Sequence, residues 1–113
     1  MAGIILTQGT PDRCVRAYPL DAFDEQAALY RERPVTTRGG RIARRAFFSG
    51  AYNAELDKQG RVLIPPVLRE WANLEGQVAV VGTGEGLEIW NLDDFVTALA
   101  GEEGEFLQAL DSE

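Results

Sequence analysis

Two stretches of this 113-residue chain repeat one another, so the fold must be built from a unit used twice. Residues 15–23, VRAYPLDAF, align with residues 87–95, LEIWNLDDF, at a constant offset: Tyr18 falls on Trp90, Leu20 on Leu92, Asp21 on Asp93 and Phe23 on Phe95. Upstream of each lies an apolar run ending near a glycine, Ile4-Ile5-Leu6 before Gly9 and Val78-Ala79-Val80-Val81 before Gly82. Each copy reads as strand, glycine turn, strand with an aromatic, and a helix opening on an Asp-bearing turn. The shared context on both sides argues for duplication over chance.

The second copy is preceded by a further block. Phe48, Gly50, Tyr52, Ala54 and Leu56 alternate, which predicts one face of an extended strand. Asp57-Lys58-Gln59-Gly60 reads as a turn, with Gly60 free to take positive φ. Residues 61–64 read as a second strand that stops at Pro65-Pro66, and residues 66–72 as a short helix burying Leu68 and Trp71. The equivalent block for the first copy would lie before Met1, so the expectation is one and a half repeats, from an upstream start or a lost first hairpin. Residues 37–47 read as a connecting helix with Arg41, Arg44 and Arg45 on one face. The tail after Gly101 reads as a short amphipathic helix with Phe106, Leu107 and Leu110 on one side, packed on the body.

Composition narrows the function. The sequence has no histidine and one cysteine, Cys14, which removes the usual zinc sites, the Ser-His-Asp and Cys-His pairs, and an internal disulfide. No cofactor, metal site or small-molecule substrate is expected, and the chain does not read as an enzyme. Asp93 and Asp94 are explained as cap and dipole partners of a helix, and residues 82–86 as a hairpin turn. No run approaches the roughly 20 apolar residues of a membrane helix, and the start lacks a signal peptide's basic and apolar regions, so a cytoplasmic location is expected. The formal net charge of −7 disfavours nucleic acid, yet Arg31, Arg33, Arg38, Arg41, Arg44 and Arg45 gather six of eleven basic residues in one stretch. The C-terminal segment carries Glu102, Glu103, Glu105, Asp111 and Glu113 and no basic residue.

The run AELDKQGRVLIPPVLREWANLEGQVAVVGTGEGLEIWNLDDF carries a family likeness. It supplies Asp57 and Arg61 of a D-x-x-x-R turn, Ile64-Pro65, Leu68-Arg69-Glu70, Val81-Gly82 and Glu88-Ile89-Trp90 in order, with Tyr18-Pro19-Leu20 matching the first half. This ordered series resembles the MraZ family, regulators built from tandem AbrB-like swapped-hairpin domains. The resemblance implies an α+β, mostly β, swapped-hairpin or double-psi-type barrel with short helices. Residues 1–33 would be a partial SpoVT-AbrB-like repeat, 34–47 an Arg-rich connecting helix, 48–101 a complete second repeat and 102–113 an acidic tail. It also implies a ring-like homo-oligomer, cytoplasmic and nucleoid-associated. Its partner would be double-stranded DNA, at direct repeats in the promoter of the division and cell-wall gene cluster that includes its own gene.

The residues suggest how. Arg61, just after the tight turn, can reach a groove or phosphate, and a bidentate guanidinium–guanine contact discriminates by about 1–3 kcal/mol. Asp57 would orient Arg61, Gly60 would form the turn and Lys58 would add a phosphate contact. The plainer reading makes Asp57 and Arg61 a structural turn pair. Arg41, Arg44 and Arg45 fit phosphate contacts or an oligomer interface; Arg69 and Glu70 fit an exposed pair. Trp71, Trp90, Phe47, Phe48 and Phe95 are expected in the core. The rivals are a self-assembling scaffold without DNA binding and an antitoxin-like or transition-state regulator of the wider AbrB class.

Overall fold

The computed structural model describes residues 3–111, with all their side chains except those of residues 106, 107 and 109–111. The chain runs β1 (Gly3–Gln8), β2 (Val15–Pro19), α1 (Leu20–Arg31), α2 (Arg38–Ser49), β3 (Tyr52–Glu55), α3 (Pro66–Trp71), β4 (Val78–Gly82), β5 (Leu87–Asn91) and α4 (Leu92–Asp111). The fold is α+β. One antiparallel sheet has the strand order β3-β1-β2-β5-β4, consistent with a small swapped-hairpin architecture.

The repeat is visible in three dimensions as β1-β2-α1 and β4-β5-α4. Their two hairpins meet along β2 and β5, where Arg16 lies opposite Glu88, its own counterpart in the repeat. A local pseudo-twofold axis therefore passes between these two residues. β3 follows the first copy in sequence and leads into the second, yet it crosses to pair with β1, placing Tyr52 opposite Leu6 and Ala54 opposite Ile4. This crossing places the strand that leads into the second copy on the outer edge of the first.

Strand alternation sorts the sheet into two faces. On one, Leu6, Val15, Ala17 and Ile89 pack under Leu68 and Ala72, with Val62, Ile64, Tyr52 and Ala54 closing the side. Leu68 is completely buried, which stabilises the fold by about 1.5–3 kcal/mol. The other face bears Ile5, Thr7, Tyr18 and Trp90 and packs against α1 and α4. α3 starts where its sequence dictates: Pro66 has the fixed φ of a first helical residue, and the Pro65 carbonyl accepts from the Leu68 and Arg69 N–H groups.

Several expectations need correction. Phe48 belongs to α2, not to a strand, because Thr37 Oγ1 accepts from the Gly40 N–H and the cap launches a helix that runs to Ser49. Phe48 is also 38% exposed, its ring edge-on to Phe47, so it is not a core residue. Trp71 is only half-buried: its Nε1 donates to the Gly9 carbonyl and the Arg13 guanidinium stacks on its ring. Residues 61–64 alternate exposed and half-buried but join no ladder, so the second arm of the block is not a strand. α4 continues through Gly101 without a break, and the side-chain packing expected of Phe106, Leu107 and Leu110 lies outside the described residues. Its N-cap is Asn91, whose Oδ1 accepts from the Asp94 N–H; Asp93 and Asp94 occupy the first turn. No described helix is long and apolar enough to cross a membrane.

Candidate nucleic-acid interface

The turn after β3 is held by one carboxylate. Asp57 Oδ1 accepts from the backbone N–H groups of Gln59 (2.9 Å) and Arg61 (2.8 Å), and Oδ2 accepts from Arg61 Nε at 2.8 Å. The backbone closes the loop with Asp57 N–H to Arg61 carbonyl and Gly60 N–H to Asp57 carbonyl. Gly60 takes φ +78°, the left-handed region in which a side chain is strained. These contacts explain the D-x-x-x-R spacing: four residues are the span over which one carboxylate can cap the turn and grip the returning arginine.

The electrostatics follow from these contacts. The Arg61 N–H holds the Asp57 carboxyl below its ordinary value, and the guanidinium and the Gln59 N–H act in the same sense. The Arg61 side chain is 75% exposed, so water screens the ion pair and its contribution to stability is small. Its effect is directional. Nε is committed to Asp57, and the two terminal nitrogens belong to a side chain that is largely open to solvent. Lys58 is exposed beside it.

The arginines of α2 have other contacts. Arg41 Nη1 donates to the Val35 carbonyl at 2.8 Å and Arg44 Nη1 to the Arg33 carbonyl at 3.4 Å, so both fasten the connection between α1 and α2. Arg45 is exposed. Arg31 and Arg33 lie over the Phe48 and Tyr30 rings. The structure thus joins Asp57, Gly60 and Arg61 into one unit and puts Arg41 and Arg44 on a separate element.

One polar contact was not anticipated from sequence. Arg16 Nε lies 3.5 Å from Glu88 Oε2 across the pseudo-axis, and Glu88 Oε1 accepts from Trp90 Nε1 at 3.0 Å. Cys14 lies on the same face, its thiol pushed up to about 11 by burial and then by the Glu88 charge. The signal was in the alignment itself, which sets an arginine against a glutamate at equivalent positions. Among the described residues no cluster of three or more metal-ligating side chains occurs.

Comparison with known proteins now bears on this turn. A family model described as "MraZ protein, putative antitoxin-like" matches residues 47–111, a span that includes the whole Asp57–Arg61 unit. The chain belongs to the MraZ family. Proteins named "Transcriptional regulator MraZ" are similar over most of it. That of Kineococcus radiotolerans is 41% identical over 90 residues, covering 80% of this chain and 62% of the relative. That of Bifidobacterium longum is 40% identical over 101 residues, 89% of this chain and 67% of the relative. The Nocardioides protein is 38% identical over 106 residues, 94% and 73%. This MraZ-family chain therefore spans less than two thirds of the Kineococcus protein and somewhat more of the other two. These relatives are named as regulators and not as enzymes.

Proposed function

We propose that this chain is a sequence-specific, DNA-binding transcriptional regulator that uses the Asp57–Arg61 turn as its reading element. The observation that carries the reading is the half-free guanidinium of Arg61, fixed by Asp57 on an exposed turn. Arg61 would contact a base edge or phosphate, Lys58 a neighbouring phosphate, and Gly60 would let the loop approach the backbone closely. From α2, Arg45 would supply a phosphate contact, and Arg41 and Arg44 would do so only through the guanidinium nitrogens not engaged with the Val35 and Arg33 carbonyls. The names of the relatives support a regulatory role.

The chain divides into a partial repeat (1–33), a connecting helix (34–47), a complete repeat (48–101) and an acidic tail (102–113). It acts at direct repeats in the promoter of the division and cell-wall gene cluster, its own gene included. It works as a ring-like homo-oligomer, and it resides in the cytoplasm on the nucleoid.

Assembly matters because one turn neutralises about one or two phosphates, far fewer than the roughly 6–10 of a strong binder. Several turns displayed together raise the effective concentration of each. A gel shift with direct-repeat promoter DNA tests the reading. The wild type should retard it and lose affinity steeply with salt, while Arg61→Ala should bind about tenfold or more weakly. Equal retardation by the two proteins would sink the mechanism. No specific shift by the wild type would favour a scaffold without DNA binding.

A further inference from the structure

The loop that carries Arg61 has a tip, and only two side chains stand on it. The Asp57 N–H donates to the Arg61 carbonyl, the Gly60 N–H donates to the Asp57 carbonyl, and Gly60 takes φ +78°. This is the three-residue connection in which a reverse turn is followed by one left-handed residue. Its residues are Lys58, Gln59 and Gly60, and glycine brings no side chain. Lys58 and Gln59 are both exposed. The Gln59 N–H donates to Asp57, but its carboxamide joins no hydrogen bond among the described residues. Lys58 has a role as a phosphate contact, whereas Gln59, at the outermost point of the same loop, has none.

The backbone beneath that carboxamide is held firmly. Asp57 Oδ1 accepts from the Gln59 N–H at 2.9 Å and from the Arg61 N–H at 2.8 Å, so one oxygen fixes both residues in one frame. Two residues of chain span at most about 7 Å, roughly two base steps of about 3.4 Å each. A carboxamide presents a donor and an acceptor side by side. The major-groove edge of adenine offers the matching pair, since N6–H donates and N7 accepts. The lysine ammonium is a point charge without such a pattern, so it suits phosphate instead. We propose that Gln59 is a specificity-determining residue, its carboxamide reading an adenine in the major groove within two base steps of the contact made by Arg61.

The proposal rests on the DNA reading above and adds a second recognised position to it. Residue 59 can be varied without loss of the turn. Its N–H survives in any residue but proline, and its side chain lies in solvent. Gln59→Ala and Gln59→Glu should therefore keep the circular dichroism spectrum and the urea midpoint of the wild type. The effect on DNA has a signature of its own. Loss of a phosphate contact weakens binding to all sequences alike, whereas loss of a base contact relaxes the preference at one position.

Selection of binding sites from a pool of random duplex DNA, carried out with the full chain, tests this role. Wild-type sites should share an adenine at one position. Gln59→Ala should lose the preference there, keep the others, and bind the wild-type site about tenfold more weakly. Gln59→Glu should exchange the adenine for cytosine, because a carboxylate accepts from cytosine N4–H. Duplex with 7-deazaadenine at that position lacks the N7 acceptor; it should bind the wild type more weakly and leave the affinity of Gln59→Ala unmoved. A Gln59→Ala protein that keeps the adenine preference, or that weakens on all sequences equally, overturns the proposal. If Arg61→Ala still loses affinity in that case, the turn reads DNA without Gln59. A wild type that selects no site removes the DNA reading itself, and the role of Gln59 with it.

Discussion

Asp57 organises the turn more than it stabilises the protein. Its three accepted hydrogen bonds all lie in an exposed loop, so Asp57→Ala should leave the urea midpoint nearly unchanged while lowering DNA affinity several-fold through a freed Arg61. Parallel denaturation and gel-shift titrations check both halves of that expectation. The sign of the pH dependence is set by the depressed carboxyl. The turn's contribution is present above the ordinary aspartate range and is lost as pH falls through the lower folded value. An NMR titration of the Asp57 carboxyl and Arg61 Nε–H should show the two moving together. Cys14 titrates in the opposite sense. Its folded thiol, near 11 against an ordinary 9.0, favours the fold below about pH 9, and that contribution declines as pH rises through 11. At pH 8 native Cys14 should resist a thiol reagent that labels the denatured chain at once.

At the scale of elements, the swap of β3 onto β1 depends on α3. Leu68 is the side chain that locks this unit over Leu6, Val15 and Ile89, so Leu68→Ala should cost about 2–5 kcal/mol in urea unfolding. The Trp71 emission should report the loosening, since its indole bridges α3 to the Gly9 carbonyl. What sequence revealed here, and what it hid, have physical reasons. The Gly60 turn, the Pro66 helix start and the repeat were legible because they depend on local backbone chemistry and on like residues in like places. The partner of β3 was not legible, because alternation fixes which face a strand buries and says nothing about which neighbour it joins. Phe48 was misplaced because a period of two through Gly50 and Tyr52 also fits the end of a capped helix. The candidate site was legible as a D-x-x-x-R spacing. The diversion of Arg41 and Arg44 to carbonyls of the α1–α2 connection was not legible, because it depends on how the linker folds back on α2 and not on the spacing of the arginines.

For the whole molecule, the meeting of β2 and β5 decides how the halves recognise each other. Arg16 and Glu88 are half-shielded and paired, so replacing either alone with alanine should destabilise by about 1–3 kcal/mol, less than a fully dry pair because water still reaches both. Exchanging the two charges, Arg16→Glu with Glu88→Arg, should recover part of that loss, and thermal melts of the single and double variants measure how much. Because the two positions are repeat counterparts, this contact also sorts the halves by identity. Two first halves brought together at this seam would set arginine against arginine, and two second halves glutamate against glutamate. Only unlike halves neutralise one another. A single ion pair on a pseudo-axis thus works as a lock with a sense. It favours a first half meeting a second half over either half meeting its like.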